Sequence, residues 1–293
     1  LPEAVLLGVM HKHQRYLPVL KDGKLLPCFI TVANGATLDV DAVRHGNEQV
    51  IIARYDDAAF FYDADIKKRL EEFTPRLATL TFQEQLGSVL DKVHRIQALV
   101  PKLAALLALD DEDKAVAERA AALCKSDLAT QLVVELTSLQ GQMGRHYALL
   151  AGESEQVGEA IEQHYWPRSA NGRLPESNAA LAIGLADRLD TLVGLFAVGI
   201  RPSGAADPWG LRRAALSLIQ LLLGKGISLS LPEVISLAAQ ELPLEVDDKV
   251  EGEVLSYILG RYQGHLREQG YRHDQVSAVL NARGYDPYLA LQT

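Results

Sequence analysis

The stretch Glu176-Ser177-Asn178-Ala179-Ala180-Leu181-Ala182-Ile183-Gly184-Leu185-Ala186-Asp187-Arg188-Leu189-Asp190-Thr191-Leu192-Val193-Gly194-Leu195-Phe196-Ala197-Val198 decides the fold class. Ala182, Leu185, Ala186, Leu189, Leu192, Val193 and Phe196 recur every three or four residues, which draws one apolar stripe along a long helix. Asp187 and Asp190 stand one turn apart beside that stripe, where carboxylates need partners. They are either a buried salt-bridge site or the last carboxylate of a helical metal-dependent phosphohydrolase of the HD type.

Downstream, Gly199-Ile200-Arg201-Pro202-Ser203-Gly204-Ala205-Ala206-Asp207-Pro208 is glycine-rich but lacks the GK[ST] ending of a phosphate loop. It delivers Asp207 as an N-cap and Pro208 as the first residue of a helix whose first turns carry Arg212 and Arg213. A helix start with two arginines attracts anions, although Asp207 would fill part of that site. Alternatively, one arginine pairs with Asp187 or Asp190.

Helical periodicity runs from about residue 37 to the C-terminus and predicts further helices near 82–107, 112–136, 139–150, 154–166, 208–223, 232–241, 248–268 and 274–283. Thr81 with Glu84 and Ser230 with Glu233 fit the capping box, and glycines such as Gly152, Gly199, Gly226 and Gly270 mark stops. Upstream, Ala4 to Met10 reads as a strand, Asp22-Gly23 as a type I′ hairpin turn, and Leu26 to Ala33 as an edge strand containing Pro27. Three strands make too small a sheet to stand alone. The fold class is mainly α, with a short N-terminal β segment expected to be the end of an α/β domain that begins before Leu1.

The chain has 293 residues and a net charge of −9, which excludes a generic basic nucleic-acid coat and confines any phosphate contact to local islands. Lys12, Arg15, Lys21 and Lys24 form one island, and Arg201, Arg212, Arg213 and Lys225 another. Mean hydropathy is +0.02, yet no apolar run approaches the roughly 20 residues a membrane span needs. Cys28 and Cys124 lie far apart, so neither a disulfide framework nor a thiolate zinc site is expected. His11 and His13 would alternate on one strand face, but no HExxH or GxSxG motif accompanies the eight histidines. A start at Leu1-Pro2 without Met is expected of a piece of a longer protein.

Several stretches then resemble, in order, the beta subunit of the bacterial-type tetrameric glycyl-tRNA synthetases: His13-Gln14-Arg15-Tyr16-Leu17-Pro18-Val19, Ala53-Arg54-Tyr55-Asp56-Asp57-Ala58-Ala59-Phe60-Phe61, Leu139-Gln140-Gly141-Gln142-Met143-Gly144-Arg145, Leu185-Ala186-Asp187-Arg188-Leu189-Asp190 and Asp207-Pro208-Trp209-Gly210-Leu211-Arg212-Arg213. The resemblance implies an α2β2 enzyme, or a plastid fusion, whose alpha part holds glycine, ATP and Mg2+ while the beta part binds tRNA(Gly). It implies residues 1–75 as the end of a B3/B4-like α/β domain with linker helices, 76–225 as an HD-like helical domain, and 226–293 as a helical body leading to an anticodon-binding domain. It also implies a cytoplasmic location, or a plastid stroma, with no DNA or membrane partner.

The HD-like domain is expected to be degenerate. Where an active domain places its His-Asp pair, the chain reads Cys124-Lys125-Ser126-Asp127, and lysine cannot replace an imidazole ligand. Lys125, Ser126, Asp127, Asp187 and Asp190 are then relics, carboxylates without histidines, and neither a metal nor a cofactor is expected in this chain. A live phosphohydrolase would instead need His94, Asp127 and Asp187 around a metal, and a third reading is a purely structural scaffold. The tRNA-contact candidates are Lys12, Arg15, Arg201, Arg212 and Arg213.

Overall fold

The computed structural model describes residues 1–35, 39–202 and 207–293, the side chains of His13 and Gln14 excepted. In chain order the elements are α1 (Glu3–Val9), β1 (Leu17–Lys21), β2 (Lys24–Ile30), α2 (Val40–Asp65), β3 (Thr81–Gln83), β4 (Gly87–Ser88), α3 (Val89–Leu106), α4 (Asp111–Leu123), α5 (Gln131–Glu135), α6 (Gln142–Leu150), α7 (Glu155–Gln163), α8 (Asn178–Ala197), α9 (Leu211–Lys225), α10 (Leu231–Ala239), α11 (Asp248–Glu268), α12 (His273–Arg283) and α13 (Pro287–Leu291). The chain is mainly helical, as its periodicity predicts.

Helix α8 is the axis of the body. Ser177 caps it by accepting from the Ala180 N–H at 3.2 Å. Its apolar residues wrap the whole circumference rather than one stripe, so α3, α4, α7, α9, α10 and α11 all pack against it. Gly199 and Gly226 follow α8 and α9 with φ of +78° and +66°, left-handed conformations that end helices at little cost in glycine.

The N-terminal segment departs from the sequence reading. Ala4 to Met10 is not a strand: α1 buries Val5 and Val9, one helical turn apart, and runs into a wide helical turn at Met10–Gln14. A short apolar run fits a strand or a buried helix equally, and here the second wins. His11 therefore lies on that turn and not on a strand face, while the His13 side chain lies outside the described residues. The hairpin is as read, with Asp22 and Gly23 at φ +50° and +75° between β1 and β2, although β2 ends at Ile30. Helix α2 lies in the stretch read as helical from about residue 37, though without bounds of its own, and it buries only Ile51, Ala58 and Asp65, spaced by seven. So thin a seam gives no sharp start or stop from which its bounds could be read.

The Asp65 carboxylate docks α2 on the body by accepting from the Gln131 and Leu132 N–H groups at 2.9 and 3.0 Å and from the Tyr147 hydroxyl at 3.1 Å. The helix predicted over 112–136 breaks there. Helix α4 stops at Leu123, Asp65 and Thr130 take up the N–H groups of Gln131, Leu132 and Val133, and Asp127 takes that of Gly141 before α6. Helix α6 likewise starts at Gln142 rather than 139, and α7 ends at Gln163 rather than 166.

Three helix starts also shift. Thr81 and Glu84 form no capping box; Thr81–Gln83 pairs with Gly87–Ser88 in a second small hairpin, and the box belongs to Ser88 and Asp91 at the start of α3. Ser230 precedes α10 without a side-chain cap, and the Leu231 N–H donates instead to the Tyr285 carbonyl at 2.7 Å. Helix α9 begins at Leu211, after Gly210, so Pro208 is not its first residue. Asp207 still caps it from a distance, accepting from the Leu211 and Arg212 N–H groups, each at 2.8 Å. The middle of the glycine-rich loop, Ser203-Gly204-Ala205-Ala206, lies outside the described residues. Among the described residues no helix is long and apolar enough to cross a membrane.

Candidate functional site

Helix α3 presents Lys92 and Arg95, one turn apart, to the face of α8 that carries Asp187 and Asp190. Lys92 Nζ donates to Asp187 Oδ1 at 2.9 Å, to Asp190 Oδ2 at 2.8 Å and to Thr191 Oγ1 at 2.7 Å. Arg95 forks onto both Asp190 oxygens and donates to the Leu86 carbonyl at 2.9 Å. From the other side Lys125, just past the end of α4, donates to Asp187 Oδ2 at 2.7 Å and to His164 Nε2 at 2.9 Å. The structural reading of the two carboxylates therefore holds, with Lys92, Arg95 and Lys125 as the partners.

The electrostatics follow from this packing. Burial would raise the Asp187 carboxyl, but Lys125 and Lys92 outweigh it and hold the group well below the usual carboxylate range. Burial would likewise lower the Lys92 ammonium, and Asp187 and Asp190 reverse the sign. His164 is driven well below its ordinary value by burial and then by the Lys125 charge. An ammonium only donates, so His164 Nε2 is the acceptor and its Nδ1–H donates to the Ile161 carbonyl at 2.7 Å. Asp127, fully buried, accepts from the Gly141 N–H at 2.6 Å through Oδ2, while Oδ1 has no partner among the described residues. Burial, opposed by the Gly141 bond, pushes its carboxyl up to about 6. Burial pushes the Cys124 thiol up to about 12, which keeps it an inert core thiol. Ser126 is buried and hydrogen-bonded to Thr74 at 2.6 Å.

Carboxylates without histidines was the expectation, and His164 corrects it, since this ring shares Lys125 with Asp187. The set His94, Asp127 and Asp187 does not form, because His94 is exposed on α3. Among the described residues no three His, Cys, Asp or Glu side chains are arranged to hold a metal.

A cleft of about 420 Å³ opens over this cluster, with Asp187 and Thr191 in its lining and Arg168, Trp209 and Arg213 around it. Arg188 reaches it from α8, bonded to the Ser217 hydroxyl at 2.7 Å and to the carbonyls of Gly184, His164 and Trp166. Burial lowers its guanidinium to about 10, so it stays charged at neutral pH. A larger groove of about 730 Å³ between the hairpin and α2 is mostly apolar, and among the described residues its lining holds no comparable charge cluster.

Of the five basic candidates, only Arg213 lines the cleft. Lys12 is exposed and donates to the Glu135 carbonyl, and Arg15 is exposed at φ +52° before β1. Arg201 pairs with Glu253 at 2.8 Å and lies 5.1 Å from the Phe196 ring. The backbone N–H of Arg212 is taken by Asp207. Sequence reasoning missed Lys92, Arg95, Arg168 and Trp209. The signal for the first two was present, as two bases at i and i+3 among the apolar Val93, Ile96 and Leu99.

Comparison with known proteins gives one consistent result. The family model described as "Glycyl-tRNA synthetase beta subunit" matches residues 1–281. The chain is 43% identical over 294 residues to the chloroplastic/mitochondrial glycine–tRNA ligase 2 of Arabidopsis thaliana, covering 100% of this chain and 28% of that protein. It is 42% identical to the glycine–tRNA ligase beta subunit of Clostridioides difficile, covering 96% of this chain and 41% of that one. For the beta subunit of Bacillus subtilis the identity is 39%, over 99% of this chain and 42% of the relative. The chain thus spans between about a quarter and two fifths of the length of these relatives.

Proposed function

This chain belongs to the glycyl-tRNA synthetase beta subunit family, and from that premise we propose that it is a noncatalytic tRNA-binding and subunit-assembly region of a glycine–tRNA ligase. It supports glycylation of tRNA(Gly) by an alpha subunit that supplies the ATP and Mg2+ site, in a bacterial cytoplasm or a plastid stroma. The observation that carries the noncatalytic reading is the Lys125–Asp187 pair. An ammonium sits 2.7 Å from the carboxylate and 2.9 Å from His164, so the groups that could have gathered around a metal already hold a fixed cation. In this reading the helical body is a degenerate HD-like domain, kept as a scaffold and RNA surface.

Reconstitution tests it. The alpha subunit alone should carry glycine-dependent ATP–pyrophosphate exchange, the beta chain alone should carry none, and glycylation of tRNA(Gly) should need both. Exchange by the isolated beta chain, or glycylation that is indifferent to removal of this region, would defeat the proposal.

A further inference from the structure

Arg168, Arg188 and Arg213 meet at the α8–α9 cleft, and among the described residues none of them pairs with a carboxylate, Arg168 donating to the Gln140 carbonyl and lying over the Tyr165 ring. Arg119, Arg145 and Arg201, by contrast, are each neutralised by an acidic partner. Asp187 is the acidic group in the cleft lining, and Lys92 and Lys125 already answer its charge. The cleft is therefore a local positive site. Its anion would meet side chains rather than a helix start, because Asp207 occupies the first N–H groups of α9.

The second component is aromatic. Trp209 is 40% exposed beside Arg213, and Phe82 meets its indole edge-on with centroids 6.1 Å apart, bracing the ring in place. An exposed indole next to guanidinium groups suits an unpaired nucleotide, with the base stacked and the phosphate bound by arginine forks. A concavity of about 420 Å³ fits one such nucleotide, whereas duplex RNA is read across broad surfaces.

We propose that this cleft is a subsite for one unpaired RNA nucleotide, whose phosphate bridges Arg168 and Arg213 and whose base stacks on Trp209. The subsite rests on the tRNA-binding reading above. Arg188, already bonded to neutral acceptors, adds field strength from below without offering a free donor.

The test is binding of a tRNA(Gly) transcript to the full-length beta chain assembled with its alpha subunit, measured across a salt series. Replacing Arg168 and Arg213 together by Gln should weaken binding and flatten the log-affinity against log-salt slope by about 0.7–0.9, one phosphate's worth. Trp209→Leu should weaken binding about 5- to 150-fold with no change of slope, because stacking releases no counterions. The Arg168→Lys, Arg213→Lys pair should keep the wild-type slope while losing affinity, which guards against a Gln variant that merely folds badly. Unchanged affinity and slope in the folded Gln and Leu variants would overturn the subsite while leaving tRNA binding elsewhere on the chain. Absence of tRNA binding by the wild-type assembly would instead reject the reading beneath it.

Discussion

Lys125 Nζ lies 2.7 Å from Asp187 Oδ2, and the same ammonium donates to His164 Nε2 at 2.9 Å, so one side chain supplies the charge that both groups need. It also lies 4.0 Å from the Tyr165 ring centre, a cation–π contact in a largely water-free setting. A buried pair of this kind is weak evidence of net stabilisation, because desolvation offsets much of the attraction, yet removing one partner strands the other.

Lys125→Met should therefore cost about 3–5 kcal/mol, moderated by the second lysine on Asp187. Urea denaturation measures it. The variant should also let the His164 imidazole titrate nearer its ordinary value, since the neighbouring positive charge is gone while burial remains. An NMR titration in which the His164 ring does not move would place Lys125 elsewhere in solution.

Asp127 and His164 pull acid stability in opposite directions. The Asp127 carboxyl is raised to about 6 in the folded chain from 3.8, so its destabilising effect is full above pH 6 and fades as pH falls to about 4. His164 has a depressed folded value, so its contribution to stability is full above pH 6.5 and declines as pH falls below that. The stability difference between Asp127→Asn and wild type should therefore change by about 2 kcal/mol between pH 7 and pH 4, in favour of wild type at the acid end. Denaturation curves at the two pH values decide it, and a pH-independent difference would mean that Asp127 titrates normally.

Leu189 is fully buried at the centre of α8, among the helices that pack around that axis. Leu189→Ala should cost roughly 2–5 kcal/mol through the lost transfer energy and the cavity left behind. A denaturation midpoint equal to wild type would show that the core collapses around the gap.

Helix α8 was legible because twenty residues of apolar pattern leave one reading, and its Asp187 and Asp190 stood out as charges beside that pattern. The end of α4 was not. Nothing local in Leu123-Cys124-Lys125 stops a helix; the stop is made by distant partners, the Asp65 carboxylate that accepts from the Gln131 N–H and the Gly141 N–H that donates to Asp127. The cleft was half legible for the same reason. Arg213 belongs to a segment with a visible helix start, but Arg168 comes from an irregular connection after α7, and only the packing of α7, α8 and α9 brings the two together. His164 was one histidine among eight until the fold set it beside Lys125.

The basic residues differ in what already neutralises them. Arg201 was a tRNA-contact candidate on charge alone, yet its guanidinium is held by the Glu253 carboxylate at 2.8 Å and lies over Phe196. A cation with a carboxylate partner in the free protein gives little net gain on meeting a phosphate, since one pairing replaces another and the stranded glutamate then repels the backbone. Arg201→Ala should leave the salt slope of tRNA binding at its wild-type value, and because the pair is exposed it should lower stability by only about 0.2–1 kcal/mol. Arg213→Ala, measured beside it, should flatten the slope. Should Arg201→Ala flatten the slope by about 0.7–0.9 instead, Arg201 leaves Glu253 for a phosphate on binding, and the RNA path runs along α11 as well as over the α8–α9 cleft.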